Sequence, residues 1–269
     1  MLPEKEKQIS MIFDTHAHYD DHAFDEDREE LIASLADAGI GTVVNVAADR
    51  ESVRTTLGLS EKYPFIWCAL GFHPSSTGDM TEDDIRMLRE ALASPRAAAV
   101  GEIGLDYHWD EPDREVQRHW FARQLALAAE TDMPVVIHSR DAAEDTMSML
   151  KEHRRPSADR PAGVIHCYSY SAEQALQYVK MGYYIGIGGV LTFRNARKLK
   201  ETAERLSLKD IVLETDCPYM APTPHRGERN SSLYLPLVVR ALSEIKGVPE
   251  EEVIRVTEEN ARRLYGLQD

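Results

Sequence analysis

Cysteine is scarce in this chain: three residues in 269, Cys68, Cys167 and Cys217, odd in number and with no C-x-x-C among them. A disulfide framework is thereby excluded, and the usage suits a reducing compartment. No apolar run approaches the roughly 20 residues that a membrane span needs. No charged and apolar leader precedes the first apolar stretch, so the expectation is a soluble, cytoplasmic protein without a membrane partner. Positive charge is also in short supply, with 31 Lys and Arg against 46 Asp and Glu and a net charge of -15. A broad basic face for gripping a nucleic-acid backbone is excluded, so any phosphate substrate has to be held by local charge. Between residues 11 and 267 there is no long Gly, Ser or Pro tract, no block of like charge and no low-complexity segment. No linker is therefore expected, and no obligate protein partner is evident. The polar residues 1–10 are expected to be a disordered N-terminal extension, and 11–269 a single domain.

What is present is an alternation of apolar, strand-like runs with longer amphipathic segments, the pattern of a parallel sheet with crossover helices. Eight strands are expected, at 11–14, 42–46, 65–70, 98–101, 134–137, 163–165, 183–187 and 211–213. Helical segments are expected at 25–38, 52–62, 82–93, 112–131, 142–153, 172–180 and 195–206. Thr81 before Glu82 to Asp84, and Ser171 two residues before Glu173, stand as helix N-terminal signals. Eight such units fit an α/β fold of the (β/α)8 TIM barrel type, with a doubly wound open sheet as the alternative.

The placing of polar residues favours the barrel. His16 and His18 close the first apolar run, two apart and so on one face of a strand. Glu102 follows strand four, His138 strand five and His166 strand six, while Asp216 lies just past strand eight. In a barrel such groups converge over the C-terminal mouth, whereas an open sheet would spread them in a line. Each has a plainer reading. Glu102 between two glycines could be a turn acid, His138 could cap the next helix beside Ser139, and Asp216 could be a helix cap. Taken together they are imidazoles and carboxylates with no required thiolate, a set suited to Zn, Mn or Mg. Cys167 is expected to point to the opposite side of its strand from His166. Six ligands are too many for one open tetrahedral site, and two ions with a bridging carboxylate account for them better.

At these residues the chain resembles the TatD family of metal-dependent hydrolases, within the amidohydrolase superfamily. The resemblance runs from about Met11 to Gly266. It includes Asp14-Thr15-His16-Ala17-His18, Gly71-Phe72-His73-Pro74, Gly101-Glu102-Ile103-Gly104-Leu105-Asp106-Tyr107 and Ile137-His138-Ser139-Arg140-Asp141-Ala142. Gly186-Ile187-Gly188-Gly189, Glu214-Thr215-Asp216-Cys217-Pro218-Tyr219 and Thr257 to Leu264 follow in the same order. The resemblance implies one metal held by His16, His18, Glu102 and Asp216, and a second held by Glu102, His138 and His166, with Glu102 bridging. It also implies a deoxyribonuclease or other phosphodiesterase, often acting from a 3′ end, with DNA in single-stranded or frayed form as substrate.

On that reading Asp216 takes the proton of the attacking water, and His73 and Arg140 contact the non-bridging phosphate oxygens, although His73 could equally be a turn residue fixed before Pro74. Glu214 is expected to orient a ligand or an arginine from behind. The chain departs from the family pattern at Glu228-Arg229-Asn230-Ser231-Ser232 and at Tyr170, a ring that could stack on a base or simply pack. His225 sits in a loop that could fold over the site as a lid. His22, His108, His119 and His153 are expected to face solvent. Two other readings stay open: hydrolysis of a small amide, ester or lactone on the same centre, and metal binding without catalysis.

Overall fold

The computed structural model describes residues 10–153 and 160–267. The extension expected at 1–10 therefore lies, apart from Ser10, outside the described residues. Eight strands alternate with helices in the order β1 (Ile12–Ala17), α1 (Arg28–Ser34), β2 (Ile40–Val46), α2 (Arg50–Lys62), β3 (Ile66–Leu70), α3 (Glu82–Ala91), β4 (Ala97–Asp106) and α4 (Arg114–Glu130). The order continues with β5 (Val135–Arg140), α5 (Ala143–Glu152), β6 (Gly163–Ile165), α6 (Ala172–Lys180), β7 (Tyr183–Ile187), α7 (Arg197–Arg205), β8 (Ile211–Leu213), α8 (Leu235–Lys246) and α9 (Glu250–Tyr265). The strands pair in sequence order, each parallel to the next. A parallel bridge between Ala17 and Cys217 joins the two ends, and the Asp216 amide donates to the His16 carbonyl at 2.9 Å. This is a (β/α)8 TIM barrel. A doubly wound sheet would reverse its strand order at a switch point, and none occurs.

Alternation along the strands sorts the core into two shells. Phe13, Val44, Val136, Val164, Tyr184 and Val212 fill the barrel interior, where Leu264 and Tyr265 of α9 close its floor. Their sequence neighbours, such as Val43, Val135, Ile137, Ile185, Ile211 and Leu213, face outward against the helices. The same period places His138, two residues beyond Val136, on the inner side at the top of β5. On β1 the ladder with β2 slips between Asp14 and Ala17, and this slip lets His16 reach the interior although Phe13 also points there.

Three strands run further at their C-terminal ends than expected, β5 among them, which continues to Arg140 and so contains His138. β4 runs on to Asp106, so Glu102 lies within the strand, and β1 likewise contains His16. These polar residues are stranded because neighbouring strands and the centre of the barrel supply their partners, which their local sequence does not reveal. α8 and α9 are additional to the seven expected helical segments. The cap signals are present in the structure: Asp84 accepts from the Thr81 amide at 2.7 Å, and the Ser171 hydroxyl accepts from the Gln174 amide at 3.3 Å.

Candidate metal centre

The six sequence-predicted ligands meet at the C-terminal mouth. His16 and His18, from β1 and the residue after it, bring their Nε2 atoms to 3.0 Å. Asp216 Oδ1 lies 3.5 Å from His18 Nε2, 3.6 Å from His166 Nε2 and 3.9 Å from His16 Nε2. Glu102 stands between two groups of nitrogens. Its Oε2 is 3.4 Å from His16 Nε2 and 3.9 Å from His18 Nε2, while its Oε1 is 2.9 Å from His138 Nδ1 and 3.8 Å from His166 Nε2. Two imidazole nitrogens facing each other at hydrogen-bond distance, with carboxylate oxygens close around them, form a donor set that fits divalent cations. His16, His18 and Asp216 form one group whose ligand atoms converge closely enough to share an ion, and His73, Glu102 and His138 form another.

The electrostatics agree with that fit. Burial opposes charge on Glu102, but the imidazoles of His166, His16 and His138 outweigh it and hold the carboxyl well below its usual range. Asp216 is likewise depressed, by His166, His18 and His16 against its burial. Burial also works against charge on His166, yet Glu214, Asp216 and Glu102 raise it to about 10, and Asp216 and Glu102 raise His18 to about 9. His16 moves the other way, lowered by burial and by His166 stacked 3.5 Å away. Without metal, the surrounding carboxylates thus draw His18 and His166 toward their protonated forms.

Groups behind these side chains fix their rings. Glu214 accepts from His166 Nδ1 at 3.1 Å and from the Cys167 amide at 2.6 Å. It packs over Gly186, where a Cβ would come within 2.3 Å of its Oε2, so that glycine gives the acid its room. The expected orienting role of Glu214 thus falls on His166. The Val46 carbonyl holds His18 Nδ1 at 2.7 Å. Asp14, two residues before His16, accepts from the His16 and Thr215 amides, the Thr215 hydroxyl at 2.7 Å and the Ser232 hydroxyl at 2.6 Å. It ties β1 to the turn that presents Asp216. Burial pushes its carboxyl up to about 7 in spite of those bonds.

His73 Nδ1 accepts from the Ser75 amide at 3.1 Å, which in the neutral ring leaves the proton on Nε2, 4.0 Å from Glu102 Oε1. Burial and the neighbouring His138 push its pKa down to about 3. The ring is therefore a neutral donor aimed at the site. Arg140 is exposed and lines a cavity of about 1100 Å3 that opens over the centre together with His73, Glu102, His138, His166 and Asp216. The other cations on its wall are engaged, Arg28 with Asp25 and Lys62 with Glu29. No carboxylate pairs with Arg140 among the described residues.

One reading is corrected and two are narrowed. Cys167 does not point away from the site: it has left the strand with φ +44 and its sulfur lies close to ligand atoms of His166 and Asp216. Burial and the adjacent acids keep it a thiol, well above its usual pKa. Tyr170 packs, its hydroxyl bonded to Ser139 Oγ at 3.0 Å and to the Ala142 amide at 3.3 Å. The loop of His225 is pinned from behind, with Arg229 paired to Asp27, and Asn230 donates to the Thr215 and Tyr219 carbonyls. Its divergent polar residues support the end of β8. Asp106, not singled out by sequence, lies 3.1 Å from His138 Nε2. Its place four residues beyond Glu102, on the same face of a strand, was the available signal.

The comparisons with known proteins cover nearly the whole molecule. The profile of TatD-related DNases matches residues 13–266. The uncharacterized metal-dependent hydrolase YabD of Bacillus subtilis is 40% identical over 257 residues, spanning 96% of this chain and 100% of that one. A more distant relative in Citrobacter rodentium, 28% identical over 95% of this chain and 98% of its own, is named a 3'-5' ssDNA/RNA exonuclease. Among solved structures, the TatD homologue YjjV of Escherichia coli superposes with a TM-score of 0.91 at 33% identity, covering 97% of this chain and 100% of that chain. A match of this extent, on a barrel whose mouth gathers imidazoles and carboxylates, places the chain in the TatD family of metal-dependent hydrolases.

Proposed function

We propose that the chain is a phosphodiesterase acting on DNA, in single-stranded or frayed form, with a binuclear divalent centre of Zn, Mn or Mg. The observation that carries this reading is the division of Glu102, whose two oxygens face different groups of imidazoles. A carboxylate so placed is suited to bridge two ions, and paired ions are the common arrangement for phosphoester hydrolysis. His16, His18, Glu102 and Asp216 would hold one, and Glu102, His138 and His166 the other. When bound, they lower the pKa of water and neutralise phosphate charge.

The chain's own residues supply the rest. Asp216, depressed and therefore ionised, accepts the proton of the attacking water. The Nε2–H of His73 and the guanidinium of Arg140 donate to the non-bridging oxygens of the phosphate. Glu214 keeps His166 from turning. One observation favours the second reading, a small amide, ester or lactone: Asp20, Asp21, Asp25, Asp49 and Glu51 all line the cavity and repel a polyanion.

Metal-reconstituted protein incubated with single-stranded DNA, RNA, simple phosphate esters, cyclic amides and lactones separates the two. Release of nucleotides, with two ions bound per chain, is the expected result. Turnover confined to amides or lactones, or a saturating limit of one ion, would overturn the proposal.

A further inference from the structure

Large apolar side chains that stand well out into solvent are few among the described residues: Trp109 is 60% exposed, Tyr219 54% and Met220 47%. All three line the cavity over the metal centre. An indole left 60% exposed gains little in folding, and its collection with two others around one mouth points to a ligand. Their positions in the barrel are opposed. Trp109 follows β4, whereas Tyr219 and Met220 follow β8, four strands away in a closed ring of eight and so half its circumference.

Neither ring is covered face to face by another ring among the described residues. Trp109 meets His108 in a T-shaped contact at 85°, and Tyr219 meets His18 likewise at 64°. The Tyr219 hydroxyl donates to Asp21 at 2.9 Å, which fixes the orientation of its ring at the rim. Arg140 ends β5, the strand next to β4, so this cation, which no carboxylate pairs among the described residues, lies on the same side of the mouth as Trp109.

We propose that the mouth holds two ring-binding subsites, Trp109 on one side of the metal centre and Tyr219 with Met220 on the other. Each stacks a nucleobase, so the substrate recognised is a single-stranded dinucleotide step with its phosphate at the centre. This rests on the phosphodiesterase reading above and names residues that select its substrate. A central anion flanked on both sides by flat rings is the repeating chemistry of a single strand. In a duplex the same bases are stacked and paired, and their faces are withheld. Base–aromatic stacking tolerates any base, so the subsites give strand selectivity without sequence selectivity.

The test uses the full chain carrying Asp216→Asn, a short single strand, and the same strand with its bases removed. Binding is followed by tryptophan fluorescence and by a second method that does not depend on Trp109. The intact strand should bind at least about 10-fold tighter than the abasic one, and Trp109→Ala and Tyr219→Ala should each weaken only the intact strand, by about 10-fold. Trp109→Phe should keep the affinity and lose the fluorescence change. Equal binding of intact and abasic strands, or alanine variants that hold the intact strand as tightly as their parent, would overturn the subsites. Hydrolysis by the unsubstituted, metal-loaded enzyme is scored apart from this. An enzyme that cleaves intact and abasic strands alike refutes the subsites and leaves the phosphodiesterase reading standing, whereas base-dependent binding without cleavage does the reverse.

Discussion

Loading the centre with metal should expel protons, and their number follows from the site. His18 is raised to about 9 and His166 to about 10, so at pH 8 the metal-free protein carries ~0.9 and ~1 proton on these rings. Glu102 and Asp216 are already ionised and contribute none. Coordination requires neutral imidazole, so each ring must give up its proton to bind. At least about two protons per chain, one or more for each ion, should therefore appear when Zn or Mn is titrated in at pH 8, because the His138 ring is raised as well, and the apparent affinity for each ion should climb ~10-fold or more per pH unit well below pH 9. Calorimetric titration in two buffers of different ionisation heat counts the protons directly. Release of fewer than about one proton per chain would refute the view that protons stand in for the ions. His166→Gln should remove about one proton from the count, and an unchanged count would locate the charge elsewhere.

The same shifts set a stability trend: with folded values above the unfolded 6.5, these rings stabilise the metal-free protein fully below pH 6.5, and the gain is lost as pH rises through 9 and 10. Thermal melts of metal-free protein should fall across that window, and those of loaded protein should not.

Glu102→Ala should lose more bound metal than His16→Ala, because the two oxygens of Glu102 face different groups of nitrogens; equal losses by metal analysis would argue against bridging. Asp14→Ala leaves the Ser232 hydroxyl and the His16 amide without their acceptor and the Thr215 hydroxyl and amide with only longer contacts to the His16 carbonyl, and at ~1–3 kcal/mol for each buried unsatisfied group it should cost ~3 kcal/mol or more in denaturant unfolding. Asp14→Asn, able to accept some of the same bonds, should cost clearly less, and equal costs would deny the clamp. Binding of a single strand to the Asp216→Asn protein should show a shallow salt slope, that of about one to three phosphates at ~0.7 each, and Arg140→Ala should weaken it more than any surface Lys change. A steep slope would reveal a basic track that the described surface lacks.

The barrel was legible in the sequence because its signal is repeated. Each strand is a short apolar run, each helix an amphipathic segment, and the order of eight units leaves few arrangements. The convergence of His16, His18, Glu102, His138, His166 and Asp216 followed from their common position near strand ends. What local patterns missed are features made by distant partners. β4 extends to Asp106 because β5 pairs with it through Asp106 and Arg140, and that pairing is invisible in the run Gly101 to Tyr107. α8 and α9 follow a long polar loop after β8, beyond the last strand that sets the repeat.

Within the site, legibility ended where a residue's direction is set by backbone conformation that alternation does not describe. Cys167 follows His166 and on a regular strand would face away, but its φ of +44 turns the chain and brings the sulfur to the cavity. Asp216, at φ +58, is also in the left-handed region, and there its amide meets the His16 carbonyl. Both residues sit where a strand breaks off to form the mouth, and there the barrel's closing contacts decide what a side chain faces. The same holds for Asn230 and Ser232. By sequence they mark a departure from the family pattern in a loop near substrate, yet their side chains bond Thr215, Tyr219 and Asp14 from below. The polar residues of that loop thus hold the Asp216 turn from below, while Trp109, Tyr219 and Met220 stand exposed at the rim, where the proposed subsites lie.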